Sequence, residues 1–455
     1  MVVFAGCGAR NPPFFKPIPP VVHILPNRLT LILLEDHEVP TAKFYFYIQG
    51  GSVYDPPGKE GLASVAMQSI RLGGTTTRSP ESIEEDLEFV GASLEMGIKP
   101  EYAAASLNVL KKDLNLGLDI LFDLLKKPAI QKNRFEIVKA QAIDTLEREL
   151  EDPLTLANRE FPELIYGPHN PWGRKVTVAS LKNITYEDVR SFYKNFVHPD
   201  RILLAAAGDF SDDAITALIH EKNQDWNVSS SGLPALPSVS ESFKREVVVI
   251  PRRDLTQSTI IMGHLGTKRD NPDKFPLIVM NFILGGGGAL SSRLGEEIRS
   301  SAGKAYAIWS DYGFGKDLGT FRAIAQTALT NTDWVIHRME TMIREMTDSP
   351  NFTQEEVSRA KQAVLRSLVF GFETRFAQVK EEARFKLYGY PDNYLEIFQK
   401  EIARVSVKDL NRVAKKYLHP EGLKVLIITN DEETKHAKAL SDLTTNGLVE
   451  VRRFE

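Results

Sequence analysis

Two stretches of this chain are copies of one pattern, and a duplication constrains architecture more than any single element does. Residues 184–209 read ITYEDVRSFYKNFVHPDRILLAAAGD, and residues 405–430 read VSVKDLNRVAKKYLHPEGLKVLIITN. They align without a gap, Asp188 on Asp409 and Pro199 on Pro420. Each copy predicts a helix capped by Thr185 or Ser406, then aromatic-x-His-Pro, then an apolar run with the length and branching of a buried strand. Because His198-Pro199 and His419-Pro420 recur as a pair, they read as helix-ending structure rather than as ligands. Upstream, Leu164-Ile165-Tyr166-Gly167 matches Lys386-Leu387-Tyr388-Gly389.

At 455 residues the chain exceeds the size at which one core usually stops growing. Residues 227–246, NVSSSGLPALPSVSESFKRE, are rich in Ser and Pro and lack apolar periodicity, as a solvated linker does. The division is therefore a flexible N-terminal segment at 1–20, a first domain at 21–226, the linker, and a second domain at 247–455. Each half opens with strand patterns. In LTLILLEDHEVPTAKFYFYIQGGS two apolar runs flank Glu35-Asp36-His37-Glu38, which predicts a hairpin. Helices follow, one starting at Ser79-Pro80 with Ile83, Leu87 and Val90 on one face and Gly91 at its end. Strands first, helices next, then a closing helix and strand predict the α+β class. The fold expected is two homologous α/β-sandwich domains, each a mostly antiparallel sheet with helices packed on one face.

A hydrophobic content of 42%, a charged content of 25% and a net charge of -4 give no global basic field for nucleic acid. No run approaches the roughly 18 apolar residues of a spanning helix, so no transmembrane segment is expected. The single cysteine, Cys7, excludes an internal disulfide and any multi-thiolate metal site. It stands in MVVFAGCGARNPPFFKPIPP, which resembles the end of a bacterial lipoprotein signal and makes Cys7 a candidate for lipidation. That opening lacks a basic n-region, carries Phe4 where Leu is usual and has a short apolar run; the other reading is an incidental thiol. Localisation in the bacterial cell envelope or periplasm follows from the first reading, and a cytoplasmic one from the second.

The segment EGLASVAMQSIRLGGT, residues 60–75, is a short apolar-faced helix closed by Gly73-Gly74. Its context, together with the duplication, resembles the pitrilysin and insulinase-type zinc peptidases, over nearly the whole chain. In that family the helix carries His-x-x-Glu-His, two histidines that bind zinc and a glutamate that activates water. By this resemblance the histidine positions fall on Ser64 and Gln68, the base position on Met67, and the later glutamate ligand on Thr145, with Asp144 one residue off. A hydroxyl and an amide are not usual zinc ligands, and methionine takes no proton from water. No metal site and no cofactor are therefore expected in this chain, and none of the nine histidines lies within four residues of another.

Residues 281–309, NFILGGGGALSSRLGEEIRSSAGKAYAIW, match a second family motif, Leu-x-x-x-x-Arg-x-x-x-Gly-x-x-Tyr, at Leu294, Arg299, Gly303 and Tyr306. The resemblance implies that Arg299 and Tyr306 reach the substrate backbone beside the scissile bond in a zinc site. Arg293 is left out of that set as a surface or packing residue. Gly285-Gly286-Gly287-Gly288 lacks the Gly-Lys-Ser/Thr ending of a phosphate loop. Gly286 and Gly287 are candidates for a substrate-lining loop; the other reading is a loop closing a helix.

Losing the metal residues while keeping the framework is similar to the zinc-free subunits of this family. The function implied is a non-zinc-binding subunit, one bowl-shaped half of a clamshell. It would supply Arg299 and Tyr306 in trans to a homologous zinc-bearing partner in a heterodimer that hydrolyses peptides or unfolded segments. The alternative is a catalytically inactive pseudopeptidase, a peptide-binding or structural core subunit.

Overall fold

The computed structural model describes residues 14–229, 232–286, 290–430 and 449–452; Cys7 and Gly287 lie outside them. The first half builds a six-stranded sheet from β1 (Val21–Ile24), β2 (Thr30–Glu35), β3 (Thr41–Gln49), β4 (Ser93–Ile98), β5 (Tyr102–Leu110) and β6 (Ile202–Gly208). Its strand order is β1-β2-β6-β3-β5-β4. The second half uses β7 (Glu246–Pro251), β8 (Gln257–Leu265), β10 (Ala307–Tyr312), β12 (Thr320–Ala328), β13 (Lys424–Thr429) and β14 (Val449–Val451), ordered β14-β7-β13-β8-β12-β10. The short β9 (Thr267–Lys268) and β11 (Phe314–Gly315) pair with each other. Position by position the two sheets correspond, and both are mostly antiparallel. The outermost strand differs in origin: β1 precedes β2 and runs antiparallel to it, whereas β14 arrives from the far end of the chain and lies parallel to β7.

The predicted hairpin at Glu35–Glu38 is corrected by this topology. Between β2 and β3 runs β6, parallel to β2 and antiparallel to β3. The physical reason is burial: β6 is the uniformly apolar ILLAAAG, which is stable only between two strands and under cover on both faces. The link from β2 to β3 instead passes over the end of β6, where the Asp36 amide donates to the Gly208 carbonyl at 2.8 Å.

Helices α1 (Leu62–Leu72), α2 (Pro80–Phe89), α3 (Leu114–Lys126), α4 (Lys132–Glu149), α5 (Pro153–Tyr166), α6 (Val178–Asn183), α7 (Tyr186–Phe196) and α8 (Asp212–Asn223) belong to the first half. The second supplies α9 (Lys274–Leu284), α10 (Thr332–Asp348), α11 (Gln354–Phe370), α12 (Arg375–Leu387), α13 (Tyr394–Arg404) and α14 (Val407–Tyr417). The duplicated helices α7 and α14 start with the same capping box, Thr185 with Asp188 and Ser406 with Asp409, each satisfying two otherwise orphaned amides.

Strand alternation gives each sheet two apolar faces. Leu31, Leu33, Phe44, Phe46 and Ile48 face the helices of their own half. Ile32, Leu34, Tyr47, Ala205 and Ala207 face the other way, against Val379 and Ala383 of α12. The equivalent face of the second sheet, with Val248, Ile250, Ile261, Leu426 and Ile428, is covered by Leu156, Ala157, Phe161 and Leu164 of α5. The halves thus exchange one helix each. The small side chains of Ala205 and Ala207 let α12 lie close, and the Tyr47 hydroxyl donates to the Lys380 carbonyl at 3.1 Å.

Residues 14–20, placed in a flexible segment from the sequence, are tied to the second half. The Phe15 amide donates to Gln399 Oε1 at 2.7 Å, Gln399 Nε2 returns a bond to the Phe15 carbonyl at 2.9 Å, and the Ile18 amide donates to Gln378 Oε1 at 3.3 Å.

Candidate functional site

Helix α1 is held at its start by a buried carboxylate. Asp55 accepts from the amides of Gly61 and Ala63 at 2.8 and 2.9 Å, satisfying donors that the helix itself cannot. Burial pushes its pKa up to about 7, against the lowering effect of those two amides. Arg174 donates to the Asp55 carbonyl at 2.7 Å, and the Ser180 hydroxyl donates to the Glu60 carbonyl at 2.8 Å. Gly61 sits at φ 100, and a Cβ there would meet Leu181 at 2.8 Å, so this entry turn needs glycine.

Along α1, Ser64 and Gln68 face α4 across a cavity of about 390 Å³, lined on the opposite side by Gln141, Thr145 and Glu149. Residues four apart share a helical face, which explains both sets. Gly61, Val65, Val138, Ala142, Leu146, Val176 and Leu181 complete the lining. The structure thus brings Ser64, Gln68 and Thr145 to one cavity. It does not bring Met67 there: that side chain is fully buried in the core of the first half. Asp144 is exposed and lies outside the lining. Gln68 is not idle, since its Nε2 donates to the Met96 carbonyl on β4 at 2.6 Å.

Arg299 lies on a π-helical turn, Gly295–Ser301, and Tyr306 follows just before β10. Arg299 is exposed, as is Tyr306 at 58%, and among the described residues neither side chain has a hydrogen-bond or ion-pair partner. Their backbone, by contrast, is pinned. Glu297 pairs with Arg338 of α10, the Thr327 hydroxyl donates to the Lys304 carbonyl at 2.5 Å, Lys304 Nζ donates to Asn331 at 3.0 Å, and the Tyr306 amide donates to the Gln326 carbonyl at 2.9 Å. Neither Arg299 nor Tyr306 belongs to the lining of the α1–α4 cavity.

Gly285 and Gly286 end α9. A Cβ on Gly285 would meet the Ser310 amide at 2.7 Å, and one on Gly286 would meet the Asn281 side-chain nitrogen at 2.9 Å. Close packing is reason enough for glycine at both. Arg293 is committed to a bidentate pair with Glu356 at 2.9 and 3.0 Å, and its guanidinium lies 4.8 Å from the Phe352 ring centroid. His198 bonds back to its own helix at the Lys194 carbonyl, 2.7 Å away.

Two family models match the chain: insulinase (peptidase family M16) over residues 30–159, and the peptidase M16 inactive domain over residues 183–364. The chain belongs to peptidase family M16. An uncharacterised zinc protease of Streptomyces coelicolor is 25% identical over 403 residues, 87% of this chain and 86% of that protein. A Helicobacter pylori protein named a non-peptidase homolog is 23% identical over 411 residues, 90% of this chain and 93% of its own length. In fold, the chain is similar to a peptidase M16 inactive domain from Pseudomonas fluorescens, with a TM-score of 0.81 and 21% identity, covering 91% of this chain and 98% of that one. It is also similar to the periplasmic protease PqqL from Escherichia coli, with a TM-score of 0.73 and 14% identity, covering 95% of this chain and 49% of that one.

The M16 family implies zinc, and the lining of the α1–α4 cavity does not fit it. Two hydroxyls, two carboxamides and one carboxylate replace the imidazole and carboxylate donors zinc takes. Among the described residues, no three His, Cys, Asp or Glu side chains gather where they could hold a metal. The pair His264 and His419, far apart in sequence, comes together with ring centroids 5.2 Å apart. Both nitrogens of His264 are nevertheless spent, Nδ1 on the Leu265 carbonyl at 2.7 Å and Nε2 on the His419 amide at 3.2 Å. Sequence reasoning missed Gln141 and Glu149. Their signal was present, since each stands four residues from Thr145 on one helix.

Proposed function

We propose that this chain is the zinc-free subunit of a heterodimeric M16 peptidase, with Arg299 and Tyr306 completing a metal site carried by a homologous partner. The observation that carries the reading is a mismatch. Two polar side chains of the family motif stand exposed and without partners among the described residues, on a segment pinned by bonds to α10, β12 and the turn between them. Such placement suits groups whose partner arrives from outside, because little side-chain packing must be undone when it does.

In the partner's site the metal would activate the attacking water. Arg299 would hold the substrate backbone beside the scissile bond, and the Tyr306 phenol would donate to the oxygen on which negative charge develops. A preorganised donor of this kind is worth about 3 kcal/mol of barrier. Water adds to the carbonyl carbon, the carbon–nitrogen bond breaks, and the amine leaves with a proton. Substrates would be peptides or unfolded segments small enough to enter the space between two facing bowls. The periplasmic setting of the similar PqqL supports an envelope location, with lipidation of Cys7 as the means of anchoring.

The test is a set of three variants assayed with the zinc-bearing partner. Tyr306→Phe and Arg299→Ala should each lower kcat about 100-fold while the complex still assembles. Arg293→Ala, which breaks a structural pair, should affect stability and leave kcat near wild type. Mixtures of Tyr306→Phe and Arg299→Ala that cleave as fast as wild type would remove the in-trans role.

A second reading, a pseudopeptidase that binds peptides or supports an assembly, is favoured by the similarity to a protein named a non-peptidase homolog. It predicts no turnover with any M16 partner.

A further inference from the structure

The α1–α4 cavity has lost its fit to a metal, and its remaining chemistry is specific. Glu149 is the sole ionisable side chain in the lining, and among the described residues its carboxylate has no hydrogen-bond or ion-pair partner. The guanidinium of Arg159 is near enough to interact electrostatically with Glu149, but its hydrogen bonds go to Glu160 at 3.0 Å and to the Val176 carbonyl, and it is not part of the lining. Gln68 adds a directed acceptor. With one Nε2 hydrogen on the Met96 carbonyl, the carboxamide is oriented and its Oε1 accepts no hydrogen bond among the described residues. Ser64, Gln141 and Thr145 contribute further groups able to accept, while Val65, Val138, Leu146 and Leu181 form apolar wall.

We propose that this cavity binds a lysine or arginine side chain of a peptide, the aliphatic stem against Val138 and Leu146 and the cationic head on Glu149 and Gln68 Oε1. A donor-only head on an apolar stem is the complement of acceptors set around an apolar wall. An anionic group would meet Glu149 with no cationic side chain in the lining, and a purely apolar side chain would offer Glu149 and Gln68 no donor. A volume of about 390 Å³ leaves room for one such side chain and water.

The neighbouring sheet edge argues that entry is by side chain rather than by adding a strand. The Lys99 amide donates to the Tyr102 carbonyl at 2.8 Å, which sets the phase of the β4–β5 ladder and turns the backbone groups of Leu94, Met96 and Ile98 off the free edge. Two of those outward carbonyls are already taken, Leu94 by Arg71 Nε at 2.8 Å and Met96 by Gln68 Nε2 at 2.6 Å. A peptide running along this edge would therefore lack two acceptors that strand addition uses.

This inference rests on the reading that the chain handles peptides, and its test uses the chain alone with no metal or partner. Calorimetric titration of the full chain would compare a short capped peptide holding one lysine with its norleucine twin, which keeps the stem and lacks the charge. The lysine peptide should bind about fivefold tighter or better at low salt, and the margin should shrink as salt is added. Glu149→Gln should abolish the preference, while Glu147→Gln, which removes the same charge from an exposed position outside the cavity, should keep it. Equal binding of the two peptides, no binding of either, a preference that survives Glu149→Gln, or one that Glu147→Gln also removes would each overturn the proposal. Failure here leaves the split-site reading standing, because that is measured by turnover with a partner.

Discussion

Gln68 reaches from α1 to the edge of the first sheet, where its Nε2 donates to the Met96 carbonyl at 2.6 Å. One turn on, Arg71 does the same to Leu94 at 2.8 Å while its fork sits on Glu84. A position that binds metal in the motif this helix resembles has become a brace between helix and strand. Gln68→Ala should lower the unfolding free energy by about 1 kcal/mol, the typical net value of a side-chain hydrogen bond. Urea unfolding should show the loss as a shifted midpoint with an unchanged slope.

Met67 marks why the lost motif is not restored by single substitutions. Its side chain is fully buried among core residues of the first half. Met67→Glu should destabilise the chain by about 3 kcal/mol or more, since a carboxylate would enter the core without a partner. Met67→Leu, similar in volume, should cost less than about 1.5 kcal/mol. Thermal unfolding of both variants compares them directly.

His264 should make the second half sensitive to acid. Burial drives its pKa down to about 3, so the imidazole is neutral in the fold, whereas in the unfolded chain it titrates near 6.5. The stability it contributes is complete above that unfolded value and is lost as pH falls from there towards 3. Between pH 7 and pH 5 the loss should approach about 2 kcal/mol. The first sheet carries Ile48 at the equivalent place, so His264→Ile supplies the control. Denaturant midpoints at the two pH values should differ less for the variant than for the native chain.

The parts of this fold legible in the sequence were those written locally. The capping boxes of α7 and α14, and Ser79 accepting from the Ser82 amide at 3.1 Å, follow from residues three apart. The α+β class followed from the order of apolar periods. What was misread depends on partners distant in sequence. Nothing near Glu35–Glu38 reveals that β6, over 160 residues later, separates β2 from β3. The apolar faces of α5 and α12 are visible, but not that each covers the sheet of the other half.

The candidate site divides in the same way. Ser64, Gln68 and Thr145 could be placed by motif spacing, and the α4 face that adds Gln141 and Glu149 follows once that helix is fixed. The pinning of Arg299 and Tyr306 could not be read, because Glu297 and Arg338, or Lys304 and Thr327, meet only through the fold. The same holds for His264 and His419.

The most direct test of the account is peptidase activity on a fluorogenic peptide. It would compare this chain alone, a zinc-bearing M16 homologue from the same organism alone, and an equimolar mixture, with zinc measured in each. The account predicts turnover in the mixture only, zinc in the homologue only, and loss of that turnover with Tyr306→Phe. Turnover by the homologue alone that this chain does not raise, or stoichiometric zinc in this chain, would contradict it.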